Sequence, residues 1–287
     1  MIQALRREYS DTNKSQLNRF ERSYLRRLYN ALHVQVMGFV DILEERGLDA
    51  AMRQLDRYLV NDKVGNVVSD LYIEAGLFFA RKTYREIRKS IKEKAADFGF
   101  NEDWTQAILE YLTTHRLQNV ANITDETKEQ ILGVLDKAVK EGWGIEKIAA
   151  ELKSSELLVW RARRIARTEL AKAAYAGRKA SEDTNDFETE KEWIAANDHR
   201  TRDSHRLVDG EVIDSEARFQ VPKNKGGYDM MEGPGDPKAS IENIVNCRCS
   251  MAVRAKRDRN GNLIPKAKRV TIIEPGLFNP KRTTITI

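Results

Sequence analysis

Residues 156–182, ELLVWRARRIARTELAKAAYAGRKASE, have the pattern of one long helix with a narrow buried stripe. Residues three and four apart share a helix face, and this spacing puts five residues on the stripe: Ala162, Ala166, Glu169, Ala173 and Ala176. Small side chains let helices approach closely, so the stretch predicts a tightly packed core helix. Arginines surround the single carboxylate of the stripe. Because no second carboxylate accompanies it there, we expect Glu169 to form a structural ion pair.

The chain before this helix is also predicted to be helical, and it contains no proline. Apolar residues recur at three- and four-residue steps in residues 16–43 and 66–94, which is typical of helices with one buried face. A third segment covers residues 101–123. A fourth is expected to begin at Thr124, because threonine is a favoured N-cap residue. We therefore expect helices up to about residue 182.

From Phe187 onward the pattern changes to short apolar pieces separated by Gly, Pro, Asn and Asp. Such pieces are typical of short strands joined by turns. Residues 223–240, KNKGGYDMMEGPGDPKAS, have the composition of a long loop, and Asn260-Gly261 marks a turn. The predicted fold class is α+β, with a mostly helical N-terminal region, a small β-containing domain and an extended basic tail.

Four regions are expected along the chain. They are a helical region (1–120), further helices that lead into the small domain (121–185), a small α+β domain with a Cys-x-Cys strand (186–254), and a basic extended tail (255–287).

Positive charge is concentrated at the end of the chain. The net charge is +5, but residues 254–287 contain nine Lys or Arg against Asp258 and Glu274, an excess of +7 that leaves −2 for the rest. Such a segment either contacts a polyanion or keeps the protein in solution. On duplex DNA we expect sequence-independent contacts to phosphates. The residues expected to make them are Arg254, Lys256, Arg257, Arg259, Lys266, Lys268 and Arg269.

Composition also predicts the compartment. The first ten residues, MIQALRREYS, lack the apolar core of a secretory signal, and the longest apolar runs are too short to cross a bilayer. The two cysteines are one residue apart, where a disulfide would close a small strained ring. We therefore expect a protein made in a reducing cytoplasm, without membrane association.

The sequence NIVNCRCSM, residues 243–251, contains both cysteines of the chain, Cys247 and Cys249. If it forms a strand, the two thiols point to the same face. His205, in NDHRTRDSHRLVDG at 197–210, is a third potential ligand for a structural zinc ion, which usually has four. We predict that these three side chains lie close together. The fourth ligand would be one of three residues nearby: His199, Asp198 or Asp203. The alternative is a pair of buried, unreactive thiols.

Enzymatic functions are less well supported by the residues. A thiol nucleophile would lack a recognisable orienting group. An HNH-type nuclease usually has a further histidine on a downstream helix, and none follows His205 here. Glu188 and Glu190 form a Glu-x-Glu as in ADP-ribosyltransferases, but a three-residue match is weak. We expect no enzymatic activity, and keep a metal-dependent DNA enzyme or an ADP-ribosyltransferase-like effector as the alternatives.

Several motifs occur together in one order: IARTELAKAAYAGRKA, NDHRTRDSHRLVDGEVI, GPGDP and NCRC. In this combination the chain resembles the phage Mu F-like minor head proteins, also called head morphogenesis proteins. The similarity extends from about Ile123 to Val253. The helical first 120 residues contribute little to it.

The chain departs from one common pattern of that family. Many members have Cys-x-x-Cys where this chain has residues 202–205, RDSH, and a His-containing, Pro-rich stretch where it has residues 242–245, ENIV. Only His205, Cys247 and Cys249 therefore match possible ligand positions, for a possible structural zinc ion.

The resemblance implies a function in the virion. Members act in head assembly and in the fate of packaged DNA, and no enzymatic activity is established for their common domain. The implied partners are the portal protein, the major capsid or scaffold protein, and double-stranded DNA bound without sequence preference. The implied location is the virion, after synthesis in the cytoplasm of the bacterial host.

Overall fold

The computed structural model describes residues 2–59, 63–91, 102–266, 269–274 and 281–286. Helices come first: α1 (Ile2–Arg46), α2 (Leu48–Leu59), α3 (Lys63–Ser90), α4 (Glu102–Glu141), α5 (Ile145–Leu152) and α6 (Ser155–Asp183). Short elements follow: β1 (Thr189–Ile194), α7 (Asp203–Leu207), β2 (Val212–Asp214), β3 (Phe219–Pro222), β4 (Tyr228–Met231), α8 (Ile241–Ile244), β5 (Ser250–Ala255), β6 (Arg269–Glu274) and β7 (Lys281–Thr286). The predicted α+β fold class is confirmed. Across the described ranges, no helix combines the length and apolar character needed to cross a bilayer.

The helix α6 lies at the centre of the fold and packs most extensively against α3, then against α1. Its predicted stripe is buried, since each of the five stripe residues exposes 5% or less of its surface. At Gly177 the helix lies directly on the backbone of α3, where an added Cβ would be 2.0 Å from the carbonyl oxygen of Gly76. Only a residue without a Cβ permits this approach.

The two larger apolar cores meet at α3. The larger one collects apolar side chains from α1 to α6, including the fully buried Tyr24, Phe39 and Tyr72, and burial of this surface is the main stabilising term. At the end of α3, Ile87 and Ile91 join the core of the small domain instead. Because one helix serves both cores, the small domain is fixed to the helical region by packing.

The small domain is built on an antiparallel sheet with the strand order β2–β1–β5. In the central strand β1, Trp193 pairs with Met251 of β5, and Lys191 pairs with Ile213 of β2. A hairpin of β3 and β4 lies beside this sheet. Phe219 of β3 packs edge-on against Trp193, with ring centroids 5.3 Å apart. These two fully buried rings form the centre of the second core.

Polar contacts add to the attachment between the helices and the small domain. The Tyr9 hydroxyl of α1 lies 2.9 Å from both the Glu86 carboxylate of α3 and the Met251 carbonyl oxygen of β5. The Ser90 hydroxyl at the end of α3 accepts a hydrogen bond from the Ala255 amide at 3.0 Å. The helical region and the sheet are therefore joined by hydrogen bonds as well as by apolar packing.

Two expectations about local structure are wrong. No helix begins at Thr124, because α4 runs unbroken from Glu102 to Glu141. Residues 102–132 contain no glycine or proline, so nothing in that stretch ends the helix. The interpretation of residues 223–240 as a loop is wrong in part, since β4 lies within it and pairs with β3.

The chain after β5 folds back on the small domain as far as Lys266, whose amide bonds to the Asp186 carbonyl at 2.8 Å. Arg257 and Leu263 form an antiparallel bridge around the predicted turn, where Gly261 has φ +84°. The strands β6 and β7 pair with each other.

The predicted region boundaries differ in how they relate to these elements. The boundary after residue 120 lies within α4, and the boundary after residue 254 lies within β5. The boundary after residue 185 lies between α6 and β1.

We expect Gly177→Ala to lower the free energy of unfolding by about 1–3 kcal/mol, the usual cost of overpacking a core. The added Cβ would overlap the Gly76 carbonyl oxygen and push α3 away from α6. Urea denaturation measures the change. Gly133→Ala on the exposed side of α4 is the matched control, because its Cβ would meet no atom of the described residues within 4 Å. It should stabilise the protein by about 1 kcal/mol, and equal destabilisation by both substitutions would contradict the close approach.

Candidate functional site

His205 lies on the short helix α7 and points into the core of the small domain, where 1% of its surface is exposed. Its ring packs edge-on against Trp193, with ring centroids 5.3 Å apart. This arrangement is a favoured aromatic geometry. The plane of the imidazole is therefore set by packing.

The two cysteines approach the same ring. Nδ1 of His205 lies 3.4 Å from Sγ of Cys249 and 3.7 Å from Sγ of Cys247, and the potential ligand atoms of all three lie within 4.8 Å of one another. The prediction that these side chains lie close together is confirmed. The predicted Cys-x-Cys strand is wrong, because β5 begins at Ser250, opposite the last residue of β1, Ile194. Both cysteines precede the strand.

The two thiols are free and buried. A hydrogen bond from Cys249, together with the His205 ring, holds the pKa of Cys247 well below its usual range. The hydrogen bond to Cys247 and burial raise the pKa of Cys249. Of the two thiols, Cys247 therefore loses its proton more readily. A thiolate is the form of cysteine that binds metals.

The cluster has dimensions that suit zinc. Two ligand atoms bound to one tetrahedral zinc ion, at about 2.0–2.3 Å each, lie about 3.5 Å apart, close to both distances from the His205 ring. The other ring nitrogen, Nε2, is buried and has no hydrogen-bond partner among the described residues, so the contact that usually orients a metal-bound histidine is missing. Within the described ranges, no fourth His, Cys, Asp or Glu completes the group. The cluster therefore supplies three of the four ligands that a structural zinc ion usually has.

Asp198, considered above as a fourth ligand, organises the turn before α7 instead. Its Oδ1 accepts a hydrogen bond from the Arg200 amide at 3.0 Å and one from the Thr201 hydroxyl at 3.3 Å, as in an Asx-turn. Arg248, the residue between the cysteines, forms a two-point ion pair with the same carboxylate. This guanidinium holds the pKa of Asp198 below its usual range. The ion pair joins the turn to the cysteine segment.

Two further contacts position the cysteine segment. The Arg202 side chain donates a hydrogen bond to the Val245 carbonyl oxygen, and the Asn246 amide donates one to the Thr168 hydroxyl of α6 at 3.2 Å. Asn246 has φ 59°, in the left-handed region that asparagine adopts more readily than most residues. This residue turns the chain between α8 and Cys247.

A cavity of about 200 Å³ borders the cysteines, between the small domain, α1 and α6. Its wall contains both thiols and an apolar part from α1 and α6. The charged residues that line this cavity, named the basic cavity below, are Lys14, Glu21, Arg167, Arg178, Asp198, Arg200 and Arg248.

Arg178 of α6 exposes 4% of its surface, yet it forms no ion pair with any residue that the structure describes. Its Nη2 lies 3.5 Å from the Pro234 carbonyl oxygen, the limit for a hydrogen bond, and its Nε has no hydrogen-bond partner among the described residues. Burial lowers the pKa of Arg178, against the influence of Tyr9, Glu86 and Glu182 nearby. Burial also raises the pKa of Glu182 to about 7, so that carboxyl carries a reduced charge at neutral pH. Arg178 is therefore a buried cation without a full counter-ion.

Glu169 forms the expected structural ion pair, but with a lysine rather than an arginine. Its Oε1 lies 2.9 Å from Nζ of Lys172, and its Oε2 accepts a hydrogen bond from the Tyr72 hydroxyl at 2.8 Å. Lys172 also donates to Asn119 at 3.0 Å. The carboxylate thus belongs to a buried network that joins α3, α4 and α6.

Several residues predicted to contact DNA are engaged within the fold. Arg254 pairs with two glutamates of β1, and Lys256 with Asp214 at 2.8 Å. Arg257 donates to the last carbonyl oxygen of α3 at 3.1 Å, and Lys266 to a carbonyl oxygen near the end of α6. Ion pairs thus neutralise two of these basic side chains, and hydrogen bonds to carbonyl oxygens engage the other two.

Three of the predicted DNA contacts remain, one within and two outside the part of the chain whose side chains are described. Arg259 is exposed at the turn after β5. Lys268 and the side chain of Arg269 lie outside the described residues. Contact with DNA stays a prediction for the whole set. The Glu-x-Glu considered above is also engaged, since Glu188 and Glu190 both form ion pairs with basic residues after Val253.

The residues that give the basic cavity its charge were not predicted from the sequence. Lys14 and Arg178 lie on different helices, and no motif connects them. One signal was present in the sequence of α6: Ala171, Ala174 and Arg178 are spaced so that they share a helix face. An arginine on a face of alanines is unusual, and both alanines line the cavity.

Residues 129–252 match the model of the family described as Phage Mu protein F like protein. The match begins within α4 and ends within β5. It therefore includes α6, the His205 turn and both cysteines. The resemblance seen in the sequence motifs is confirmed over these residues.

Among curated proteins, the chain is 28% identical over 154 residues to the uncharacterized protein YqbB of Bacillus subtilis (strain 168), covering 53% of this chain and 46% of YqbB. It is 28% identical over 142 residues to the minor head protein GP7 of Bacillus phage SPP1, covering 47% of this chain and 44% of GP7. The chain thus spans less than half the length of the curated relatives it matches. No solved structure matches it.

Proposed function

We propose that this protein is a minor structural component of a tailed-phage head and acts in head morphogenesis. The observation that carries the proposal is the match of residues 129–252 to the Mu F-like family. The matched region contains His205, Cys247 and Cys249, named the His–Cys cluster below. The similarity to a protein named minor head protein GP7 supports the same role.

The proposed place of action is the portal of the assembling head. The portal protein is the first expected partner, the major capsid or scaffold protein a further one, and packaged double-stranded DNA a third. The helices α1 to α3 lie outside the family match, so we assign them the contacts that are particular to this phage. The protein would be made in the host cytoplasm and retained in the virion.

A structural role accounts for the site better than an enzymatic one. Asp198, beside the cysteine segment, and Glu169, on the buried stripe of α6, are each held by a cation. The Glu-x-Glu of the transferase alternative is in ion pairs. The strongest enzymatic alternative is a metal-dependent nuclease centred on the His–Cys cluster.

A head protein should be found in purified virions at a small fraction of the abundance of the major capsid protein. Quantitative mass spectrometry of gradient-purified particles measures this. Deletion of the gene should reduce the yield of infectious particles, and supply of the wild-type protein in trans should restore it. The purified protein should leave duplex DNA intact in the presence of Mg²⁺, Mn²⁺ or Zn²⁺. Cleavage that is abolished by His205→Ala would replace this proposal with the nuclease alternative.

We further propose that His205, Cys247 and Cys249 bind a structural zinc ion. Bound zinc would join α7 to the cysteine segment, and zinc at a hundredfold its Kd would add about 2.7 kcal/mol to stability. The protein should contain one zinc ion per chain by elemental mass spectrometry and lose it in His205→Ala. His199→Ala is the matched control, because that histidine is exposed on the same turn and outside the cluster. Absence of zinc from the wild-type protein, with no stabilisation on adding zinc, would leave the cluster a packing contact.

DNA contact is proposed for the end of the chain. Residues 267–287 contain four Lys or Arg against Glu274 alone, whereas most earlier basic residues of the segment are engaged within the fold. Deletion of 267–287 should weaken duplex binding and, if about four phosphate contacts are lost, make the log–log salt slope less steep by about 3.6. Fluorescence anisotropy at several salt concentrations measures both quantities.

Arg163→Gln on the exposed side of α6 is the control for this deletion, because it removes one positive charge outside the basic tail and should change DNA binding little. Unchanged DNA affinity after the deletion would contradict the proposal. If virion incorporation were lost as well, the segment would instead dock on the portal or capsid protein.

A further inference from the structure

The basic cavity contains more positive than negative charge. Its cations are Lys14, Arg167, Arg178, Arg200 and Arg248, and its acids are Glu21 and Asp198. Each acid is already paired with one of these arginines: Arg167 lies 2.8 Å from Glu21, and Arg248 holds Asp198. The two pairs form part of the wall and leave three cations without an acid.

The three remaining cations are Lys14, Arg178 and Arg200. None of them forms an ion pair with a residue in the described part of the chain. Lys14 and Arg200 are exposed and belong to α1 and to the turn before α7, whereas Arg178 is 4% exposed. The cavity therefore has cations at its surface and one cation in its interior.

Arg178 is the strongest sign that an anion belongs there. An unpaired buried guanidinium is unfavourable, because its desolvation is not repaid by a counter-ion. Its Nε has no hydrogen-bond partner in the described chain, although guanidinium donors are normally used when they are buried. An anion in the adjoining cavity would supply the missing acceptor.

We propose that the basic cavity binds a phosphate group. A phosphate offers several acceptor oxygens to planar guanidinium groups and carries up to two negative charges. The three unpaired cations can balance this charge. If Cys247 is a thiolate, the net charge of the cavity is still +2. A lone carboxylate would neutralise only part of the excess. The cavity volume of about 200 Å³ suits one small anion with its waters, rather than a length of DNA.

Two sources can present this chemistry. One is a free phosphate or small phosphomonoester, and the other is the terminal 5′-phosphate of a DNA strand. Both would place one phosphate group in the same cavity, and the inference does not depend on the proposed role in the phage head or on zinc. Loss of phosphate binding leaves the virion experiment unaffected, so the two proposals fail separately.

The test uses the full-length protein and inorganic phosphate at constant ionic strength, because added salt by itself screens charges. Phosphate should raise the melting temperature in a saturable manner, and isothermal titration should give about one site per chain. Lys14→Ala combined with Arg200→Ala should raise the Kd at least about tenfold, since charge-assisted hydrogen bonds are strong. Both residues are exposed, so the double variant is expected to fold.

Two further variants sharpen the test. Arg163→Ala on the exposed side of α6 lies outside the cavity lining and should leave the Kd unchanged. Arg178→Met removes the buried cation and should abolish the stabilisation by phosphate. No saturable effect of phosphate on the wild-type protein would overturn the proposal. An equal loss in Arg163→Ala and in the double variant would also overturn it, because net charge alone would then explain binding.

Short duplexes with a 5′-phosphate or a 5′-hydroxyl distinguish the two sources. Tighter binding of the phosphorylated duplex, lost in the double variant, assigns the cavity to DNA ends. Equal binding of both duplexes, with inorganic phosphate still bound, assigns it to a free phosphate.

Discussion

The contact between Gly177 of α6 and Gly76 of α3 is the constraint on which the rest of the structure depends. The two helices meet at backbone distance because Gly177 has no Cβ, whereas an added Cβ on Gly76 would meet the Ile108 side chain of α4 at 3.0 Å. A second close approach occurs on the same helix, since a Cβ on Gly235 would lie 2.2 Å from the Ala171 carbonyl oxygen. Gly235 also has φ +88°, a conformation that other residues rarely adopt. The helix α6 is thus held between α3 and the GPGDP segment.

This central helix also builds the site. It carries the buried Arg178 of the basic cavity, the Arg167 of one wall ion pair, and the Thr168 hydroxyl that accepts from the cysteine segment. The opposite wall comes from the Asp198 turn and the cysteines. Because a helix is stiffer than a loop, residues on α6 define positions against which the loops of the small domain are arranged. The His–Cys cluster and the cavity are therefore two sides of one interface between α6 and that domain.

The sequence was informative where the pattern was local. The spacing of alanines in α6 predicted its burial, and the two motifs around His205 and Cys247 predicted a contact across the small domain. Local patterns failed where one element depends on another. The β5 ladder starts only at Ser250, because β1 ends opposite it, and the strand β4 forms because β3 is beside it.

The charge distribution was the least predictable property. Counting basic residues after Val253 pointed to a free tail, but Arg254 and Lys256 meet acids on neighbouring strands. The surplus charge of the cavity arises from residues far apart in sequence, such as Lys14 and Arg200. Pairing of charges is decided by the tertiary fold, and composition reports only their sum.

The long helix α6 has a mechanical consequence. Its 29 residues form a rod of about 44 Å at 1.5 Å per residue, with one end in the helical bundle and the other beside the sheet. The residues that line the basic cavity belong to α1, α6 and two loops. A tilt of α6 relative to the other three would change the size of the cavity opening. If a ligand binds the cavity more tightly at one tilt of α6 than at another, its binding and the packing of the helices are thermodynamically linked, and the linkage acts equally in both directions. A partner protein that binds the helices would then change the affinity of the cavity for its ligand. The ligand would change the affinity for the partner by the same factor.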